Sequence, residues 1–146
     1  MIQTILQGFC ELVFPPYCLK CRTKRLSNFP HEILCSRCLE RLEHNIPPFC
    51  PLCSRHLNHP HYLTKCHSCT HNQLHFDFAW SSLIYNDTLK DLLHQFKFNQ
   101  KTLLKYFFTQ TMISFILRHG LDIKQFDYLM TVPLHPTRYR ERGFNQ

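Results

Sequence analysis

Four C-x-x-C pairs within 52 residues constrain this chain more than any other feature: Cys18/Cys21, Cys35/Cys38, Cys50/Cys53 and Cys66/Cys69. The gaps between pairs are 13, 11 and 12 residues. A C-x-x-C turn points two thiolates at one place, and two such turns supply four sulfurs in a tetrahedron around Zn²⁺. Spacers of this size are the usual ribbon arrangement. Sequential pairing is simplest, with Cys18, Cys21, Cys35 and Cys38 on one ion and Cys50, Cys53, Cys66 and Cys69 on the other. Spacing alone leaves a cross-braced pairing open.

Disulfides fit less well, because the cysteine count is odd, at nine, and no secretion signal is evident. Redox C-x-x-C motifs sit singly at strand–helix junctions. With four thiolates and no open position, each zinc site is structural rather than catalytic. Cys10 lies outside the pairs and reads as a small buried hydrophobe. His67 lies inside the last pair and could compete for metal, but the sulfur set is already complete. His31, His56, His59, His61, His67, His71 and His75 are therefore read as solvated.

The pattern along the chain suggests three segments. Residues 1–14 read as an amphipathic helix, with Ile2, Ile5, Leu6, Phe9 and Val13 at helical spacing and Pro15-Pro16 as its stop. Residues 15–75 hold eight of the nine cysteines and eight of the eleven histidines, and little periodic apolar material. One short helix is expected at 37–44, carrying Leu39 and Leu42. Zinc must supply what a core would, on the order of 10 kcal/mol per site.

From residue 76 onward the patterning becomes regular. A strand is expected at 79–85. A helix is expected at 88–98, capped by Asp87, with Leu89, Leu92, Leu93 and Phe96 as its apolar stripe. A second helix is expected at 101–119, closed by Gly120. A buried strand is expected at 127–132. No internal repeat shows apart from the cysteine pairs. The apolar run 103–117 is shorter than the ~18 residues of a membrane span. The N-terminus has no basic region and is interrupted by Gln3, Gln7 and Glu11, which points to a cytoplasmic location.

The formal charge is +7, which suggests anionic partners. A zinc ion held by four thiolates carries −2, so two such centres reduce this to about +3. The end of the chain, VPLHPTRYRERGFNQ (132–146), interleaves Arg138, Arg140 and Arg142 with Tyr139, close to Phe144. Guanidinium groups grip phosphate oxygens, and aromatic rings stack on unpaired bases. A charged helix start in solvent is the plainer reading of the same residues.

Together these motifs carry a resemblance. LVFPPYCLKC (12–21), the other three cysteine pairs, FD at 76, YND at 85, LLHQFKF (92–98) and VPLHP…RGFNQ (132–146) resemble the ComF family, also called ComFC-like. The family combines a double zinc ribbon with a type I phosphoribosyltransferase-like domain. The fold class implied is a small zinc-ribbon domain (15–75) followed by an incomplete α/β domain (76–146). The implied role is an accessory one in natural transformation, handling single-stranded DNA or a phosphorylated ligand. Lys97, Lys101, Arg138, Arg140 and Arg142 are the candidate phosphate contacts, and other competence or DNA-processing proteins are candidate partners. The implied cofactors are two structural zinc ions.

Phosphoribosyl pyrophosphate would join them only if a missing C-terminal half were supplied, because the acidic–Thr–Gly loop that holds it in the family has no counterpart here. Val132–Pro136 corresponds at most to the pyrophosphate-contacting part. These residues alone are expected to be inactive as a transferase, and a truncated or split member, or a fragment of a longer chain, is the expectation. A second chain completing the α/β domain is one way to supply the rest. A bare zinc-ribbon interaction module is the remaining alternative. Asn99-Gln100 departs from the family, which tends to place a glycine there.

Overall fold

A computed structural model describes residues 17–24, 33–57 and 65–146. The expected helix 1–14, Cys10, His31, His59 and His61 lie outside the described residues. The described residues form five α-helices in order: α1 (Ser36–Glu40), α2 (His67–His71), α3 (Asp87–Phe98), α4 (Leu104–Arg118) and α5 (Pro136–Arg142). A 3₁₀ turn, Ile123–Gln125, follows α4.

The cysteine region is built twice. An antiparallel bridge joins Tyr17 to Lys24, and an equivalent one joins Phe49 to His56, 32 residues on. Inside each bridge a cysteine knuckle turns tightly. Arg22 N–H donates to Cys18 C=O at 3.0 Å, and Ser54 N–H donates to Cys50 C=O at 2.8 Å. Both donors sit at left-handed φ, 61° for Arg22 and 53° for Ser54. The second knuckle of each unit opens a five-residue helix, with Cys35 capping α1 and Cys66 capping α2. The helix expected at 37–44 is thus confined to α1. Leu42 falls beyond its end and is buried nonetheless.

Helix α3 starts one residue earlier than the sequence pattern suggests. Asn86, not Asp87, is its cap: the Asn86 Oδ1 accepts from Leu89 N–H at 3.0 Å. The Asn86 amide also donates to Arg41 C=O at 2.9 Å and to Glu43 Oε1 at 3.0 Å. Those two contacts favour Asn86 and tie α3 to the ribbon. Asp87 instead occupies the first turn, where its charge suits the helix dipole.

The main core crosses between the cysteine region and the helices. Cys18, Leu34, Cys38 and Leu42 pack with Leu83, Leu89, Leu92, Phe96 and Leu104. Lys20 and Asp91 form an ion pair over the same junction. A smaller cluster surrounds Cys50, Cys66 and Cys69, with Leu52, Leu57 and Leu74 against it. Buried Asn45 fastens the two regions together, donating to Ser54 C=O at 2.8 Å and to Ser81 C=O at 3.1 Å. Trp80 Nε1–H donates to Pro51 C=O at 2.8 Å. Its ring and that of Phe115 lie 6.1 Å apart.

Neither expected strand forms a ladder. Residues 79–85 make one antiparallel bridge, Leu83 to His44, flanked by hydrogen bonds from Asn45 to Ser82 and from Ile84 to Glu43. Residues 127–132 form no strand and are not buried: Tyr128, Leu129, Met130 and Val132 are between 84% and 95% exposed. A strand needs a neighbour to satisfy its backbone, and the described residues provide none. Residues 76–146 therefore contribute helices and extended segments, without a sheet among the described residues.

Helix α4 leaves Tyr106, Met112, Ile113 and Leu117 exposed. Two apolar hollows of about 260 and 230 Å³ meet at Ser82 and Met112 along its side. Among the described residues no helix is long and apolar enough to cross a membrane.

Gln100, in the α3–α4 turn, holds φ at 52°. A side chain there costs roughly 1 kcal/mol that glycine avoids. Gln100→Gly is expected to raise the thermal midpoint, by no more than about 1 kcal/mol of stability because glycine also loosens the unfolded chain. A lowered midpoint in a thermal melt would contradict this account of the turn.

Candidate functional site

Both sulfur clusters form, and they form sequentially. Cys18, Cys21, Cys35 and Cys38 bring their Sγ atoms within 4.8 Å of one another, as do Cys50, Cys53, Cys66 and Cys69. The Cys21–Cys35 and Cys53–Cys66 sulfurs are each 3.6 Å apart. A zinc tetrahedron with bonds near 2.3 Å has edges of about 3.8 Å, so both clusters fit the ion. The cross-braced alternative is thereby excluded.

The surroundings prepare the thiols for metal. The Thr23 hydroxyl, 3.3 Å from Cys21 Sγ, and then the Thr23 N–H hold the Cys21 thiol down to about 6. Burial opposes ionisation of Cys50, but the N–H groups of Cys66, Cys53 and Leu52 outweigh it and bring that thiol to about 6. The Cys66 N–H lies 3.3 Å from Cys50 Sγ. Burial, then the neighbouring Cys35, Cys21 and Cys18 thiols, push Cys38 up. Burial, then Cys53, Cys66 and Cys50, push Cys69 up to about 12. Four sulfurs this close cannot all ionise in isolation. A divalent cation supplies the missing positive charge, after which all four ligate. Thr23 escaped the sequence reading because a threonine two residues past a cysteine is unremarkable until the loop folds it back.

The described histidines stay out of both clusters. His56, His67, His71 and His75 are exposed. The His67 and His71 rings stack on each other at 4.1 Å, and neither joins a sulfur set.

The cationic residues divide differently. Helix α5 begins with Pro136 after His135, whose Nδ1 accepts from Thr137 N–H at 3.3 Å. It ends at Gly143, with φ at 77°. The helix therefore precedes GFNQ. On a helix, residues four apart share a side and residues two apart do not. Arg138 and Arg142 lie together, and Arg140 faces away from them. Arg138 is paired with Glu141 at 2.8 Å. Arg142 donates to Gln146 Oε1 at 2.8 Å and lies over the Phe98 ring at 5.0 Å. Phe144 packs on Phe96 at 5.3 Å and anchors α5 to α3. Lys97 is in the last turn of α3, and Lys101 is exposed just after it. The structure thus joins Arg142 to the Lys97–Lys101 end of α3 and leaves Arg140 apart.

Comparison with known proteins agrees with the sulfur geometry. The double zinc ribbon domain family matches residues 9–70. A competence protein, ComFC, from Streptococcus pneumoniae (strain ATCC BAA-255 / R6) is 28% identical over 123 residues, 77% of this chain. The chain is similar to that competence protein over most of its own length. It spans about half of that relative's length, 48%. No solved structure matches it significantly. In this chain the two four-cysteine clusters are the seats of two structural zinc ions. Zinc held there would fix the knuckle loops against the helices and leave no position for a substrate.

Proposed function

We propose that the chain is a competence-type accessory protein that binds single-stranded DNA, with its two zinc sites as scaffold. The observation that carries this reading is the docking of α5 onto α3, which seats Arg142 on Phe98 between Lys97 and Lys101 in sequence. Cations from separate elements then serve one face, as a flexible phosphate backbone requires. The likeness to a competence protein supports the role. Other competence or DNA-processing proteins are the natural partners, and the cytoplasm the natural location.

Arg138, Arg140 and Arg142 changed together to Ala should retain zinc and weaken salt-sensitive binding to single strands. Each guanidinium–phosphate pair abolished should flatten the plot of log affinity against log salt by about 0.7. Unchanged affinity in a mobility-shift titration would contradict the assignment.

The exposed segment 127–132 favours a second reading. In it a further polypeptide covers that segment, completes a phosphoribosyltransferase-like α/β domain and supplies the loop for phosphoribosyl pyrophosphate. Partner binding at that segment would survive deletion of residues 133–146, whereas DNA binding through α5 would not.

A further inference from the structure

The geometry points to Phe98 as the platform on which one unpaired base of the bound strand stacks, an inference that rests on the single-stranded DNA reading. Phe98 closes α3 and stands two residues past buried Phe96, which turns it off the apolar stripe. Phe98 is 52% exposed, and what surrounds its ring sets it apart from a stray surface apolar residue. The Arg142 guanidinium lies 5.0 Å from the ring centre, and the His94 ring 4.9 Å away.

Arg142 comes from a separate helix and donates to Gln146, which holds the guanidinium against the ring. Lys97 and Lys101 bracket the ring in sequence. Of the carboxylates on the same helices, Asp91 is engaged by Lys20 and Glu141 by Arg138, and Asp87 sits in the first turn of α3, at the opposite end from Phe98. An aromatic face beside a held guanidinium and flanking lysines suits a base with its phosphates. A duplex keeps its bases stacked inside and cannot use the ring, and a free phosphate has no need of it.

The test uses the zinc-loaded full chain and two labelled probes of equal length, oligothymidine and an abasic oligodeoxyribose phosphate, in anisotropy titrations at low salt. Wild type is expected to bind oligothymidine about tenfold more tightly than the abasic strand. Phe98→Ala should bring that ratio to about one, and Phe98→Trp should keep it. A wild-type ratio of one, or a ratio that Phe98→Ala leaves unchanged, overturns the platform while leaving strand binding intact. Binding to neither probe overturns the single-stranded DNA reading and the platform with it.

Discussion

Cys38→Ser is expected to empty the first zinc site and unfold α3 along with the first ribbon. Cys38 is both a ligand and a member of the main core, packed with Leu89, Leu92 and Phe96. Losing the ion forfeits on the order of 10 kcal/mol, comparable to the whole stability of an ordinary domain. The second cluster has its own apolar surroundings, Leu52, Leu57 and Leu74, and should keep its metal. Native mass spectrometry should therefore count one zinc instead of two. Amide exchange should show residues 89–96 unprotected. Two retained ions, or unchanged protection of α3, would contradict the shared core.

Leu92→Ala should be the most damaging apolar truncation. Leu92 is fully buried at the centre of that core. Alanine is the best helix former, so the loss falls on packing alone. A cost of about 2–5 kcal/mol is expected in urea denaturation. Leu93, by contrast, lines the 260 Å³ hollow, where truncation widens an existing space and should cost less. A Leu92→Ala variant within about 0.5 kcal/mol of wild type would place the core elsewhere.

The zinc centres were legible because their signal is short-range. Four thiols at fixed spacing have few ways to satisfy a tetrahedral ion. The duplication was less legible, because the two units share cysteines and little else. Arg22 and Ser54 occupy the left-handed corners where a glycine would have advertised the turn. Helix α3 was readable from its stripe, yet its cap was displaced by one position because adjacent Asn86 and Asp87 both cap well. Long-range hydrogen bonds to Arg41 and Glu43 decided between them.

The strands failed for a different reason. The pattern of 79–85 is satisfied by a single bridge to the ribbon and by Asn45, a buried polar link that no local pattern reveals. The pattern of 127–132 promises burial that the described residues do not deliver. The arginines lie two apart in sequence, and the helix turns Arg140 away from Arg138 and Arg142. Phe98 passed as one more apolar residue in LLHQFKF until α5 laid Arg142 against it.

The wild-type arm of the salt titration tests the central claim most directly. Zinc-loaded protein is titrated against oligothymidine from low to physiological salt. Binding whose log affinity falls linearly with log salt, with a slope of about −2 for three phosphate contacts, is the result the account predicts. No binding at low salt, or affinity indifferent to salt, would contradict it.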